Sequence, residues 1–304
     1  MTDLKTELAK GINEKNIIKN ADMREYTSFK AGGNASLLVI PSDKQELKFA
    51  AKTLCGTRMP YMIMGNGSNI LVRDGGYKGV LIKPGEAFSF INTEKDTIHA
   101  GCGALMSQVA NEALKKGLGG FEFAGGIPGS IGGAVFMNAG AYGGEMKDII
   151  KIVNVISRDG EREFELTPGK LKLEYRHSIF CDTCDIIESV KIKLHEESKD
   201  KIKSTMKELT ERRNSKQPLS LPSAGSFFKR PKGRYAGRLI EDAGLKGLSV
   251  GGAQVSQLHA GFIVNKGGAT AGDIIELMHM VQATVMDKYG VMLEPEVRII
   301  GEEA

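Results

Sequence analysis

The chain has no tryptophan and only four cysteines among 304 residues. Cys181 and Cys184 form its one CxxC. With no second CxxC or histidine pair, the pattern lacks the spacing of a zinc site, and no metal is expected. It reads instead as a turn with two small, reduced side chains. Surplus charge is also scarce: 41 Lys and Arg face 37 Asp and Glu, a net +4. That suits anionic ligands but falls far short of a nucleic-acid binder, and no basic stripe interleaved with aromatics appears. Long apolar runs are missing too. The start Met1-Thr2-Asp3-Leu4 is polar and acidic with no apolar h-region, and nothing approaches membrane-span length. The expectation is a cytoplasmic protein without a membrane anchor. Two nucleotide signatures are absent as well: no GxGxxG opens a helix, and there is no Walker GK[ST].

Glycine is what the chain has in excess, 38 of 304 residues, where about 7% is usual. The length predicts two or three subdomains. Residues 3–20 read as a polar amphipathic helix. Ser36 to Ile40 is a strand that Pro41 breaks, and Ser42 with Gln45 forms a capping box for a helix over 43–54. Strands follow at Tyr61–Met64, Ile70–Val72 and Gly79–Ile82. The middle, 84–196, is glycine-dense and strand-rich, with a helix near 105–116. A charged helix over 198–214 ends before Pro218. Beyond it, Tyr235–Ala243 reads as helix and His259–Val264 as strand. Ile274, Leu277, Met278, Val281 and Val285 recur at helical spacing over 273–288, capped by Thr270 with Asp273. Val291–Ile300 closes the chain as a strand, with Pro295, Val297 and Ile299 on one face and Glu294, Glu296 and Arg298 on the other.

Two glycine loops carry the functional reading. Gly65-Asn66-Gly67-Ser68-Asn69 directly follows a strand, and such a loop can aim successive N–H groups at a diphosphate. A plain turn between two strands is the other reading of it. Gly125-Gly126-Ile127-Pro128-Gly129-Ser130-Ile131-Gly132-Gly133 is denser and runs on into Val135-Phe136-Met137-Asn138. Each glycine in a core segment costs about 1 kcal/mol against alanine, which backbone lying on a flat ring or on phosphates would justify. A glycine-rich crossing of two strands is the alternative.

In this order the loops resemble the vanillyl-alcohol-oxidase type of FAD-binding fold. Further motifs follow in Thr27-Ser28-Phe29-Lys30-Ala31-Gly32-Gly33, Tyr175-Arg176-His177-Ser178-Ile179-Phe180, Ala224-Gly225-Ser226-Phe227-Phe228-Lys229-Arg230-Pro231 and Leu293-Glu294-Pro295-Glu296-Val297-Arg298. With these, nearly the whole chain is similar to the UDP-N-acetylenolpyruvoylglucosamine reductase family of peptidoglycan precursor synthesis. The resemblance implies an α+β protein: a two-part FAD-binding region plus a smaller C-terminal α/β substrate domain. Residues 1–83 would form the first FAD subdomain, with 291–304 returning to it. Residues 84–198 would form the second, and 205–290 the substrate domain.

In that family NADPH reduces FAD, which delivers hydride to the terminal carbon of the enolpyruvyl ether of a UDP-sugar. An enolate-like species forms and takes a proton. Carried over by motif, Arg176 grips the carboxylate, Ser226 donates the proton with Lys229 as a nearby cation, and Glu296 hydrogen-bonds the developing carboxyl or orients Arg176. Tyr175, Lys229, Arg230 and Arg234 form a cluster for the uridine diphosphate. Gly65, Asn66, Gly67, Ser68 and Asn69, with Gly125, Gly126, Ile127, Pro128, Gly129, Ser130, Gly132 and Gly133, hold FAD non-covalently, since neither loop has a His or Cys to tether it. Two departures match the family's shorter subclass: only a short connection follows Phe180, and Arg230 stands where the longer subclass has Asn. His177 and His259 receive no role. Two other readings are a different flavoprotein of the same fold, acting on a small hydroxy acid or alcohol, and a non-catalytic flavin-binding homologue.

Overall fold

Residues 4–304 are described by the computed structural model, in which the chain interleaves two units. The first takes the N-terminal segment to Lys19, Leu37–Asn66 and Gly79–Arg212. The second takes Asn20–Ser36, Gly67–Lys78 and Arg213–Ala304.

The spine of the first unit is a five-stranded antiparallel sheet, in the order Glu163–Leu166, Ile150–Ile156, Ile186–Lys193, Thr97–Gly101, Ile91–Glu94. Its central strands are rich in β-branched residues, which suit a pleated, buried surface. Val153 pairs with Val190, and Val190 with Ala100; all three are fully buried. Helix Met106–Lys116 buries Met106, Val109, Ala110 and Ala113, one stripe at helical spacing, and stops at Gly117, whose φ is 70°. Helix Lys44–Cys55 buries Leu47, Ala50, Ala51 and Leu54 in the same way. Strand Tyr61–Ile63 runs parallel to Val80–Ile82, and the first glycine loop leaves from its end.

Several sequence expectations in this unit need correction. Residues 3–20 are not one helix. Leu4–Leu8 is a short helix, Glu14–Asn16 a 3-10 turn, and Ile17–Asp22 a strand. Past the helix, Gly11 lies against Phe49, where a Cβ would stand 2.7 Å from the ring. Met1-Thr2-Asp3, part of the start read as polar and acidic, lie outside the described residues. The cap of the next helix is Asp43 rather than Ser42: its carboxylate accepts from Glu46 N at 2.9 Å, while the Glu46 side chain accepts from Ser42 N at 2.6 Å.

In the second unit, strands Ser249–Val250, Ala253–Val255 and Ile263–Asn265 form an antiparallel sheet, and Arg298–Ile300 lies parallel to Ile70–Val72. Helix Ala271–Tyr289 buries Ile274, Leu277, Met278, Val281 and Val285 as the spacing predicts, and Thr270 with Asp273 forms the expected capping box. Phe29 meets Phe227 edge-on at 6.2 Å in the same core. The strand expected at His259–Val264 is shorter, because His259–Phe262 closes a turn with Phe262 N on His259 O. Of the expected strand Val291–Ile300 only Arg298–Ile300 is regular, with Pro295 bridged singly to Phe228.

One buried side chain ties this unit together. Asn265 Nδ2 donates to Phe29 O at 3.1 Å and Lys30 O at 3.2 Å, and its Oδ1 accepts from Gly267 N at 2.8 Å and Ala269 N at 3.1 Å. A buried carbonyl or N–H stripped of its partner costs about 1–3 kcal/mol. Asn265→Ala is therefore expected to destabilise the protein by about 2–4 kcal/mol. A denaturant midpoint unchanged from the parent would show that these four bonds carry no such weight.

Candidate active site

The two glycine loops, far apart in sequence, touch within the first unit. Gly65 faces the N-cap of the short helix Ile131–Phe136, so that a side chain on Gly65 would collide with Ser130 Oγ. Ser130 is itself buried, and its Oγ accepts from Gly133 N at 3.4 Å. Behind the loop, Gly132 N donates to Cys102 O at 2.8 Å, and a Cβ on Gly132 would stand 2.8 Å from that of Cys102. Burial pushes the Cys102 thiol up to about 12, so it remains a packed thiol rather than a thiolate. A Cβ on Gly133, by contrast, would meet only Ser130 Oγ, at an ordinary 3.5 Å.

Gly67 has a φ of 65°, where a Cβ would strike Tyr26 O, and its carbonyl accepts from Ser28 N at 3.2 Å. Among the described residues, no backbone carbonyl accepts a hydrogen bond from the amide N–H of Asn66, Gly67 or Ser68. Successive donors without acceptors, on backbone bare of bulky side chains, are what a diphosphate requires. The loop residues fit an FAD diphosphate on that ground. Asn69 does something the sequence did not disclose: its Nδ2 donates to Glu296 O at 3.1 Å and its carbonyl accepts from Arg298 N at 3.0 Å. The loop thus fixes the segment that carries Glu296.

Ser226 and Glu296 come together through backbone in the second unit. Phe227 N donates to Gly261 O, Glu296 N to Phe227 O, and Lys229 N to Glu294 O, each at 2.8 Å. Ser226–Lys229 therefore lies alongside Glu294–Glu296, with Phe227 and Phe228 buried beneath and Ser226 exposed. Gly225 provides the bend before the serine, at φ 78° with open space around it. The Lys229 ammonium pairs with Glu294 Oε2 at 3.3 Å, a partner the sequence did not single out. The Arg230 guanidinium covers the Tyr235 ring at 4.6 Å, and exposed Arg234 ends the same loop.

Tyr175 and Arg176 occupy the tip of a tight turn in the first unit. Glu174 and His177 exchange both backbone bonds, at 3.1 and 3.2 Å. Tyr175 is exposed, and Arg176, at φ 56°, is half-buried with its guanidinium 5.3 Å from the Tyr175 ring centre. The side chain of Asn138, a residue the sequence reading assigned no role, donates to Glu174 O at 3.1 Å. Its position at the end of the glycine-rich run was the only signal. The connection after Phe180 is a one-turn helix, Phe180–Thr183, closed by Cys184 at φ 57°. His259 is a packing residue: burial lowers its pKa, Nδ1 accepts from Gly261 N at 3.0 Å, and the ring meets Phe262 edge-on at 5.0 Å.

Residues 35–163 match the FAD binding domain, and residues 217–300 match the UDP-N-acetylenolpyruvoylglucosamine reductase C-terminal domain. The chain is thus of the class built from an FAD-binding domain and a separate, smaller C-terminal domain. It belongs to the UDP-N-acetylenolpyruvoylglucosamine reductase family. The relative bearing that name in Clostridium botulinum is 51% identical over 96% of this chain and 95% of its own length. The one in Clostridioides difficile is 45% identical over 99% of each chain. The crystal structure of the Thermus caldophilus reductase superposes with a TM-score of 0.81 at 37% identity, covering 93% of this chain and 98% of that one.

The contact between the loops is testable. Gly65→Ala should weaken FAD retention and cost about 1–3 kcal/mol of stability, the usual penalty for overpacking. Ser130→Ala removes the colliding hydroxyl along with the helix cap, so measured against Ser130→Ala alone, adding Gly65→Ala should cost far less than it does in the parent. An equal cost of Gly65→Ala in both backgrounds would show that Ser130 is not the obstacle.

Proposed function

We propose that this protein reduces the enolpyruvyl ether of UDP-N-acetylglucosamine-enolpyruvate to UDP-N-acetylmuramate, using NADPH and FAD, in peptidoglycan precursor synthesis. The observation that carries the reading is the 51% identity, over 96% of the chain, to the relative of that name in Clostridium botulinum. Gly65–Asn69 and Gly125–Gly133 would hold FAD non-covalently, in the manner of the vanillyl-alcohol-oxidase fold. Bound there, the flavin would supply the hydride chemistry that links NADPH to the substrate. The protein works in the cytoplasm; among the described residues no helix is long and apolar enough to cross a membrane.

The residues of this chain do the rest. Hydride addition at the terminal enolpyruvyl carbon pushes the double-bond electrons onto the neighbouring carbon and its carboxylate. Arg176 binds that carboxylate with a permanently charged, two-pronged donor and so favours the build-up of negative charge. Donors held at a developing oxyanion are worth about 2.7–4 kcal/mol each. Ser226 Oγ delivers a proton to the carbon beside the carboxylate. A hydroxyl is a weak acid, but the species it meets is strongly basic. Glu296, held by Asn69 and Phe227 through its backbone, hydrogen-bonds the developing carboxyl group. Tyr175, Lys229, Arg230 and Arg234 take the uridine diphosphate.

In the three-part reading, residues 1–83 with 291–304 and residues 84–198 form the FAD region, and 205–290 the substrate domain. The parallel pairing of Arg298–Ile300 with Ile70–Val72 supports the return of the C-terminal strand to the first segment.

Two outcomes test the reading. The purified protein should be yellow, and acid precipitation should leave free FAD in the supernatant; a colourless protein that takes up no added FAD would refute the cofactor. Ser226→Ala should keep its flavin and its reduction by NADPH, while reoxidation by the enolpyruvyl substrate falls by about 10²–10⁴-fold. Normal reoxidation in that variant removes the serine from the mechanism.

A further inference from the structure

Both limbs of the turn that carries Arg176 are fastened to the same short stretch of chain, at the end of the flavin-loop helix Ile131–Phe136. On one side Asn138 Nδ2 donates to Glu174 O at 3.1 Å. On the other, Ser178 Oγ donates to Phe136 O at 2.5 Å. We propose that Asn138 is a positioning residue for Arg176, clamping the guanidinium-bearing turn to the end of the flavin loop. The inference rests on the reductase reading for what Arg176 does, but not for where Asn138 holds it.

Asn138 is almost completely buried, and three groups dictate how its amide is turned. Nδ2 also donates to Glu145 Oε2 at 2.8 Å, while Oδ1 accepts from Lys147 N at 2.9 Å. Flipping the amide would set an oxygen against a carboxylate and a carbonyl, and an NH₂ against an N–H. The second donor bond to Glu174 O is therefore forced by the other two contacts. Asn138 also has a φ of 44°, in the left-handed region that asparagine tolerates better than most residues. Few other side chains fit both the backbone and the three partners.

Arg176 needs such a clamp. It sits at φ 56°, where a β-carbon strains the backbone, on a turn closed by the Glu174–His177 pair, with the His177 ring, on the later limb, 3.4 Å from Lys172 O and 3.3 Å from Asp182 Oδ1. Without Asn138 the Glu174 carbonyl keeps His177 N but loses its side-chain donor, and the earlier limb loses its tie to the end of the flavin loop. The guanidinium stands far out on a long side chain, so a small rotation at the base moves it far. A displacement of about 1 Å at a reacting group can cost 10²-fold in rate.

The test uses Asn138→Gly, which removes the amide and suits the positive φ, with Asn138→Asp as a second variant that keeps the shape but loses both donors. Trypsin can cut at the Arg176–His177 bond, so its nicking rate reports directly on how well the turn is held. In the full-length protein, assayed well below the lowered thermal midpoint of each variant, that rate should rise about tenfold or more in either variant, and more than nicking at exposed arginines elsewhere in the chain. Flavin reduction by NADPH should stay within about twofold, while KM for the enolpyruvyl substrate rises about tenfold or more. In an Arg176→Ala background, Asn138→Gly should add almost nothing to the substrate defect. Unchanged nicking at Arg176, or effects that simply add to Arg176→Ala, overturns the proposal. Should the enolpyruvyl substrate fail to reoxidise even the parent's flavin, the functional reading falls, and the nicking rate still decides this one.

Discussion

Ser130 Oγ occupies the space that any side chain on Gly65 would need, and Cys102 presses on Gly132 from behind. The first glycine loop, the helix Ile131–Phe136 and the turn at Cys102, just past strand Thr97–Gly101, are stacked at backbone distance because two positions lack a β-carbon. Much else at this end of the first unit depends on that closeness. The same helix ends at Phe136, whose carbonyl receives Ser178, and two residues later Asn138 reaches Glu174. A bulkier loop would displace the helix, and the displacement would pass to the turn carrying Arg176. In this unit the glycines are as much about letting backbone segments meet as about leaving room for a ligand.

The second unit solves a similar problem with amides. Asn265 joins Lys30 and Phe29 to the turn at Gly267–Ala269, and Asn69 joins the first glycine loop to the segment of Glu296. Asparagine suits this work, since its short side chain offers donors and an acceptor close to its own backbone. Phe227 and Phe228 anchor the Ser226 loop from below, leaving the serine itself at the surface. The reactive groups thus stand on irregular segments whose backbone is held by neighbours, which explains how they stay ordered without belonging to a helix or strand.

Local signals in the sequence were reliable where physics is local. The Thr270–Asp273 box, the stripe through Val285 and the helix ending at Gly117 depend on residues a few positions apart, and each is in place. Errors came where a partner decided the outcome. What reads as one long helix is a short helix, a 3-10 turn and a strand, with Gly11 packed on the Phe49 ring from a distant segment, and even a local choice went astray where Asp43 rather than Ser42 caps the next helix. For the site, the motifs named Arg176, Ser226 and Glu296, but nothing in the spacing says that Glu296 N bonds Phe227 O or that Gly65 meets Ser130. Asn138 was passed over because its partners, Glu174 and Lys147, become neighbours only on folding.

The choice of an arginine at a left-handed backbone position bears on what the turn is for. Glycine would adopt φ 56° at no steric cost, and asparagine at little, whereas a residue with a long side chain gives up roughly 1 kcal/mol or more there. A surface turn under selection for stability alone would lose the arginine. Its presence, together with two independent side-chain bonds bracing the turn, argues that the strain is tolerated for what the guanidinium does. The left-handed conformation sets the side chain at the tip of the turn, with the guanidinium 5.3 Å from the Tyr175 ring centre. Strain at Arg176 and bracing at Glu174 and Ser178 are then two halves of one device, since a strained turn without braces would relax and carry the guanidinium with it.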